Sequence, residues 1–203
     1  MIKLIKTPAL VQYFFPSLTW RKKRNSKNIY LTFDDGPHQT LSPFILDELI
    51  KYEAKATFFY LGEQVEKYPQ LVKRCKDENH QIGNHTYSHL NGWKTSNNDY
   101  FADIEKANKI IDAKLFRPPY GKIKPSQIKH LKEHYEIIMW DVLSWDFKNK
   151  ISPIKCLNNI LNHTKSGSII VLHENDKSLK TLKKVLPKIL SHFHSLGYKF
   201  EAL

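Results

Sequence analysis

Short apolar runs alternate with longer segments of helical periodicity along most of the chain. Six of these runs have the length and composition of strands. They are Asn28 to Phe33, Ala56 to Tyr60, Gln81 to Gly83, Ile137 to Trp140, Ser168 to Leu172 and Tyr198 to Leu203. Strands and helices that alternate this often favour a parallel sheet, either a small barrel or a doubly wound sheet. In both folds the functional side chains gather at the C-terminal ends of the strands.

Three local signals predict where helices begin and end. Ser42 and Ser152 are each followed by a proline, so each is expected to cap a helix whose first turn accepts that proline. Gly197 is predicted to stop the last helix before the closing strand.

One compact domain is expected from the size of the chain. Its 203 residues are 41% hydrophobic, enough for one sizeable core and too few for two full domains. The basic, polar stretch from Arg21 to Lys27 is the clearest shift in composition. We therefore expect residues 1–27 to form an N-terminal segment that packs on a main domain at residues 28–203.

The N-terminal segment contains apolar residues, but Lys6, Pro8, Gln12 and Pro16 interrupt them. The sequence therefore predicts neither an export signal nor a transmembrane segment, which favours a cytoplasmic location. A peripheral anchor at a membrane surface is the alternative to packing on the domain, and it would use Leu10, Val11, Tyr13, Phe14 and Phe15.

The chain is strongly basic, since 32 Lys and Arg residues against 20 Asp and Glu give a net charge of +12. Many lysines fall on predicted helices, where solvated faces commonly carry them, and no nucleic-acid-binding motif accompanies them. Nucleic acid is therefore not the expected partner, whereas an anionic glycan or a membrane surface is left open. The two cysteines, Cys75 and Cys156, lack metal-binding spacing.

Two adjacent carboxylates, Asp34 and Asp35, end the first predicted strand and precede a Gly36-Pro37 breaker. Neighbouring strand residues point to opposite faces, but a turn at the strand end can bring both side chains toward one pocket. That arrangement would supply one metal ligand and one base. A plain turn would use the same residues equally well.

His85 and His89 follow the third predicted strand with three residues between them, a spacing at which two imidazoles can bind one divalent ion. With Asp35 they make a common catalytic zinc set, which leaves a coordination position open for water. A second pair, His130 and His134, lies in a lysine-rich predicted helix that comes before a strand. Both members of that pair are predicted to be surface residues.

Three later segments also carry polar side chains at turns or strand ends. Arg117-Pro118-Pro119-Tyr120-Gly121 is a stiff turn that places a guanidinium and a free Tyr120 backbone N–H. The other two segments run from Trp140 to Phe147 and from Val171 to Glu174. Each segment alone is compatible with a purely structural role, but five such clusters in one chain favour a shared site.

The order of these segments resembles the polysaccharide deacetylase family, also called the NodB-homology domain or carbohydrate esterase family 4. The sequences TFDDGP, HTYSH and RPPYG stand in the order and approximate spacing of that family's first three motifs. Together they are highly specific, and the resemblance covers Asn28 to Leu203. It implies an α/β fold, a distorted (β/α) barrel with about seven strands, in which residues 28–203 are the catalytic domain.

The resemblance also implies an activity, the metal-dependent removal of N-linked acetyl groups from N-acetylated amino sugars. The partner would be an N-acetylated glycan, as polysaccharide or oligosaccharide. Asp35, His85 and His89 would be the ligands of a divalent metal, usually zinc, with Co2+ or Ni2+ as alternatives. This set matches the ligand count reached from the residues alone.

The remaining catalytic roles follow from the same resemblance. Asp34 would be the general base, and Arg117 would pair with it. His173 would be the general acid, and Asp146 would orient it. The Tyr120 N–H would join the metal in stabilising the oxyanion.

Residues of the third, fourth and fifth motifs would hold the substrate, and the predicted contacts are Tyr120, Pro119, Trp145, Phe147, Val171 and Leu172. The chain departs from the family at Leu143, Phe147 and Val171, where Asp, Trp and Leu are usual. These positions shape substrate contacts, so the departures bear on the preferred glycan and leave the reaction class unchanged.

Three other functions are alternatives. A metal-dependent amidohydrolase acting on a small non-sugar amide could use the same ligands. A glycan-binding module without activity would be expected to lack the base, a ligand or the acid, and none is missing here. A basic nucleic-acid binder would need aromatic or glycine motifs that this chain lacks. The oligomeric state is not predicted.

Overall fold

The computed structural model describes residues 4–24, 26–148 and 150–203. Its strands are β1 (Asn28–Asp34), β2 (Ala56–Tyr60), β3 (Gln81–Asn84), β4 (Leu115–Phe116), β5 (Glu136–Ile137), β6 (Val142–Leu143), β7 (Ile169–His173) and β8 (Lys199–Phe200). Seven strands lie in the order β5-β4-β3-β2-β1-β7-β6, and β8 pairs with β1. All of these pairs are parallel. The sheet curls into a half-barrel, which confirms the predicted fold class.

One helix precedes the first strand, and the others lie between strands along the chain. They are α1 (Ala9–Phe14), α2 (Leu41–Ile50), α3 (Gly62–Lys67), α4 (Pro69–Asp77), α5 (Asn97–Ile111), α6 (Pro125–Leu131), α7 (Pro153–Leu161) and α8 (Leu179–Ser195), with one 3-10 turn at Pro119–Gly121. No described helix is both long and apolar enough to cross a bilayer.

Alternating side chains of β1 and β7 divide the molecule into a helix-facing core and a barrel interior. Phe33 of β1 and Leu172 of β7 belong to the main apolar cluster, together with Leu186 of α8. The intervening Thr32 and Asp34 meet the side chain of Arg117 inside the barrel instead. This alternation explains why β1, although mostly apolar, places the Asp34 carboxylate inside the barrel.

A continuous stretch of chain joins the two edges of the sheet. Only four residues separate β5 from β6, which are the first and last strands of the order. Within that stretch the Ile138 N–H donates to Phe116 O of β4 (2.8 Å), and the Asp141 N–H donates to Ile169 O of β7 (3.0 Å). The connection therefore forces the sheet to curl, and we call residues 138–141 the closure segment.

The N-terminal segment lies along this closure. The Thr7 N–H donates to Asp141 O (2.9 Å), and the Met139 N–H donates to Thr19 O (2.8 Å). Farther along, the Lys22 N–H donates to Gly167 O (2.9 Å), just before β7. A domain boundary after residue 27 stays a prediction.

Several predicted elements differ from the observed ones. The strand predicted over Ala56 to Tyr60 is confirmed, and the one predicted over Tyr198 to Leu203 is shortened to β8. The strand predicted over Ile137 to Trp140 overlaps β5 only at Ile137. The strands β4 and β6 were not predicted, because two residues are too few to show a period of two.

Two of the three predicted helix signals are confirmed. Ser152 accepts a hydrogen bond from the Lys155 N–H at the start of α7, and Gly197 takes a φ of 74° just after α8. The prediction for Ser42 is wrong, because α2 begins one residue earlier and Ser42 is buried within it. Its hydroxyl donates to Glu174, a contact between distant parts of the chain that overrides local capping.

Candidate active site

The C-terminal ends of β1 and β7 and the loops after β3, β4 and β6 surround a cleft of about 540 Å³. In the register of β1 and β7, Asp34 lies directly opposite His173. From the predicted catalytic and metal sets, the cleft is lined by Asp34, Asp35, His85, His89 and His173. The structure thus brings together residues that the sequence holds in separate segments.

Unusual backbone conformations concentrate around the cleft. Eight non-glycine residues among those described have a positive φ. Five of them belong to the predicted motif segments, namely Asp35, Thr86, His89, Tyr120 and Trp145. Such conformations persist only where the surrounding structure enforces them, and they cluster at functional sites. Their location supports a functional role for this cleft.

Three side chains around the cleft have the geometry of a metal site. Asp35 Oδ1 lies 3.2 Å from His89 Nε2 and 3.6 Å from His85 Nε2. In the described part of the chain, Asp35 Oδ1 is buried without a hydrogen-bond partner. A divalent cation would satisfy that oxygen together with both imidazole nitrogens, so the residues present fit a metal. His130 and His134 are exposed, as predicted.

Neighbouring groups hold each of these three side chains in place. His85 Nδ1 lies 2.7 Å from Arg117 O, and His89 Nδ1 lies 3.0 Å from the Tyr120 hydroxyl oxygen. Both Nε2 atoms are thereby left to face the carboxylate. Burial lowers the pKa of His85 to about 4, which keeps its imidazole neutral at neutral pH, as a metal ligand requires.

The carboxylate of Asp35 is ionised for electrostatic reasons. Burial raises its pKa, but the His89 imidazole, 3.2 Å from Oδ1, and the charges of His173 and His85 outweigh burial and hold the pKa below its ordinary value. The amide of Asn175 donates to Asp35 Oδ2 at 2.6 Å, which occupies one oxygen and leaves Oδ1 directed at the histidines.

Arg117 and Asp34 form a buried ion pair. Arg117 Nη1 donates to Asp34 Oδ1 and to the Thr32 hydroxyl, each at 2.7 Å. Arg117 Nη2 donates to Met139 O at 3.0 Å, and Nε donates to Ile138 O at 3.3 Å. Burial lowers the pKa of Arg117, and the charge of Asp34 opposes that effect. The pair therefore fixes the Asp34 carboxylate at the wall of the cleft.

His173, which lines the cleft, forms a second pair with the buried Asp146. His173 Nδ1 lies 2.8 Å from Asp146 Oδ1, and the His173 backbone N–H donates to Asp146 Oδ2 at 2.7 Å. The Ser144 hydroxyl also donates to Asp146 Oδ1 at 2.7 Å. Burial lowers the pKa of His173, but the buried Asp146 carboxylate outweighs burial, and the pKa is raised to about 9. The imidazole is therefore protonated at neutral pH.

Apolar and aromatic side chains form the rest of the lining. The rings of Phe147 and His173 lie 4.6 Å apart, and those of Trp145 and Phe147 lie 5.5 Å apart. Leu143 and Val171 complete this wall beside His173. The three positions that depart from the family are therefore all at the cleft, next to the predicted acid.

Two of the predicted substrate contacts, Leu172 and Pro119, do not line the cleft. Leu172 packs in the helix-facing core, because alternate residues of β7 point to opposite sides and Val171 and His173 face the cleft. Pro119 is buried, and Pro118 lines the cleft in its place. Among the other predicted contacts, Tyr120, Trp145, Phe147 and Val171 line the cleft.

Sequence reasoning missed roles for Glu174 and Asn175, which directly follow His173. Glu174 is buried, and it accepts hydrogen bonds from the Ser42 hydroxyl and the His38 N–H. A Cβ atom at Gly36 would overlap Glu174 Oε2, so a larger residue in this turn would have to displace the Glu174 carboxyl group. Burial raises the pKa of Glu174 to about 8. Both residues could have been found from their position, because they directly follow a strand and functional side chains gather at the C-terminal ends of parallel strands.

The sequence also matches known proteins. The family model for polysaccharide deacetylase matches residues 21–135. A peptidoglycan-N-acetylglucosamine deacetylase of Bacillus cereus is 40% identical over 177 residues, which are 81% of this chain and 64% of the relative. This chain therefore spans less than two thirds of that relative's length.

Solved structures share the fold. The crystal structure of the Bc1960 peptidoglycan N-acetylglucosamine deacetylase has a TM-score of 0.89 to this chain. The two are 36% identical, and the match covers 97% of this chain and 95% of the other. BA3943 of Bacillus anthracis, a pseudoenzyme of carbohydrate esterase family 4, has a TM-score of 0.81 and 26% identity over 91% of this chain and 66% of its own.

The buried pair of Arg117 and Asp34 is open to a direct test. We expect Arg117→Met to lower the free energy of unfolding by about 3–5 kcal/mol, because it leaves a buried carboxylate without its partner. The double variant with Asp34→Asn should lose less than the sum of the two single losses, as measured by urea denaturation. Arg24→Met, at an exposed arginine, serves as the control. Additive losses would contradict the coupling.

Proposed function

The chain belongs to the polysaccharide deacetylase family, and on that premise we propose that it is a metal-dependent hydrolase that removes N-linked acetyl groups from N-acetylated amino sugars. One observation carries the proposal: a metal-ligand set, a carboxylate paired with arginine and a histidine paired with aspartate meet in a single cleft. The names of the related enzymes support an N-acetylglucosamine residue within a glycan as the substrate.

Zinc is the proposed metal. Two imidazoles and one carboxylate are a common catalytic zinc set, and Co2+ or Ni2+ would fit the same ligands. Asp35, His85 and His89 would hold the ion. A divalent ion there would polarise the acetyl carbonyl and lower the pKa of a water molecule.

Asp34 is the proposed general base. It accepts a proton from the water that attacks the acetyl carbonyl carbon, and its bond to Arg117 keeps the carboxylate in position. The carbonyl oxygen then becomes an oxyanion, to which the Tyr120 N–H donates. Tyr120 holds a left-handed backbone conformation next to two prolines that have no N–H of their own.

His173 is the proposed general acid. It donates its proton to the amine nitrogen as the C–N bond breaks, which releases acetate and a free amino sugar. With a pKa of about 9, the imidazole carries that proton before the reaction begins at neutral pH. Asp146 acts through His173 by orienting the ring and stabilising its charge.

Three further expectations from the sequence stay predictions. They are the cytoplasmic location, the absence of nucleic acid as a partner and the domain boundary after residue 27. The oligomeric state is left open.

The activity can be tested on oligomers of N-acetylglucosamine, with acetyl loss followed by mass spectrometry. We expect loss that requires zinc and is stopped by a chelator. Asp34→Asn should reduce turnover by about 100-fold or more and leave zinc binding intact, because a general base contributes that much to the rate.

Asp112→Asn, at an exposed aspartate outside the cleft, is the matched control and should retain full activity. Undiminished turnover by Asp34→Asn would remove the base assignment. No acetyl loss from the zinc-bound wild type would favour another amide substrate or, as in the related pseudoenzyme, no activity.

The role of Asn175 predicts a change in metal affinity. Asn175→Ala should weaken zinc binding by about 10–100-fold, because it frees Asp35 Oδ2 from the hydrogen bond that orients the carboxylate. Competition with a chromogenic chelator measures this directly. Asn158→Ala, on the exposed side of α7, should bind zinc as the wild type does. Equal affinity in both variants would show that Asn175 does not orient Asp35.

The pair of His173 and Asp146 predicts a pH dependence. Turnover should decline as the pH rises through the pKa of His173, about 9, because the acid loses its proton. Asp146→Asn removes the charge that raises this pKa, so the decline should move to lower pH by about 1–3 units. Both enzymes are assayed with the same bound cation, and the measurement is the difference between their pH profiles of kcat/KM. Superimposable declines would refute the role of Asp146.

A further inference from the structure

The short helix α1 presents an apolar face to solvent. Leu10, Tyr13 and Phe14 are 66%, 78% and 65% exposed, and their spacing places them on one side of the helix. Phe15 follows at 42% exposure. We call these four residues the α1 face. A surface helix ordinarily turns its apolar stripe toward the core, so this orientation needs another explanation.

The fold itself holds α1 in this orientation. Val11, on the other side of the helix, packs against a second apolar cluster, which includes Trp20 and Phe116. The Trp20 indole N–H donates to Phe15 O at 3.1 Å, and Trp20 is itself buried. The helix is therefore docked through one side, and the α1 face is left uncovered by the described residues.

The part of the sequence that contains α1 is rich in positively charged residues. The first 33 residues contain seven Lys and Arg residues and no Asp or Glu. Lys23 and Arg24 are exposed, and the neighbouring Lys22 N–H anchors this stretch on Gly167 O. Lys23 follows Trp20 by three residues, which is a reach of about 10 Å from the contact with α1. Lys23 therefore lies no more than about 10 Å of chain from the residue that contacts α1.

We propose that the α1 face and the exposed cations Lys23 and Arg24 bind the surface of an anionic lipid bilayer. Leucine and phenylalanine would enter the boundary between head groups and acyl chains, and tyrosine would lie at head-group level. The two cations would meet anionic head groups. This inference goes beyond the proposed reaction, and no residue of α1 lines the cleft.

Charge and composition distinguish a bilayer from other partners. A second copy of the chain would place two acid-free, basic segments against each other, which is unfavourable. A glycan would favour flat stacking on Trp or Tyr, whereas three of the four residues in the α1 face are Leu or Phe. An anionic bilayer satisfies both the apolar side chains and the cations.

Sedimentation of the full chain with lipid vesicles tests the proposal. We expect binding to vesicles of phosphatidylglycerol and phosphatidylcholine, weaker binding as salt increases, and little binding to phosphatidylcholine alone. The triple variant Leu10→Ser, Tyr13→Ser, Phe14→Ser should lose affinity for these vesicles by about tenfold or more. The pair Lys23→Ser, Arg24→Ser should lose about tenfold on anionic vesicles.

Two matched controls should bind as the wild type does. Ile154→Ser removes an apolar side chain that is 72% exposed on α7, and Lys184→Ser with Lys188→Ser removes two exposed charges from α8. All variants should keep the melting temperature within a few degrees, since the replaced side chains are exposed. If the triple variant fails to fold, the Lys23 and Arg24 pair carries the test alone.

Absence of binding by the wild type would overturn the proposal, and so would equal binding by the wild type and the Lys23 and Arg24 pair. A wild-type dimer that the triple variant converts to a monomer, without vesicle binding, would assign the α1 face to a second copy. Binding to an insoluble glycan in place of vesicles, lost in the triple variant, would assign it to sugar.

Discussion

The buried guanidinium of Arg117 is the contact on which the site and the sheet both depend. Its Nη1 bonds Asp34 and Thr32 on β1, and its Nη2 and Nε bond two carbonyl oxygens of the closure segment. Its own carbonyl oxygen lies 2.7 Å from His85 Nδ1. A single residue after β4 therefore positions the proposed base, orients one proposed metal ligand and ties β1 to the stretch that curls the sheet.

This arrangement follows from the cost of burying charge. An unpaired guanidinium inside a protein is strongly unfavourable, and Arg117 is stable there because every nitrogen of its head group has an acceptor. Three of those acceptors are oxygens of neutral groups and one is the Asp34 carboxylate, so the charge has one anionic partner. Moving the closure segment would leave donors unsatisfied, which makes the curvature of the sheet and the position of Asp34 interdependent.

The sequence predicted a residue's position in the cleft where that position depends on a short motif that directly follows a strand. Asp35, His85 and His89 could be predicted because their motifs have a specific order and each follows a strand. Positions set by register could not be predicted: Val171 faces the cleft and Leu172 the core only because of how β7 pairs with β1. Ser42 had a good local capping signal, but its hydroxyl bonds Glu174, which is distant in sequence. Contacts of that range are invisible to local patterns.

The N-terminal segment contacts the cleft wall and also carries the α1 face. Residues just before α1 hold the cleft wall, since the Leu143 N–H donates to Ile5 O at 2.8 Å and the Trp145 indole N–H donates to Leu4 O at 3.2 Å. Leu143 departs from the family pattern, and both side chains line the cleft. These bonds and the docking of α1 involve one continuous stretch of chain, so the same segment contacts the wall beside His173 and carries the outward-facing helix. The position of this cleft wall therefore depends on residues 4 and 5 of the N-terminal segment, although no residue of α1 lines the cleft.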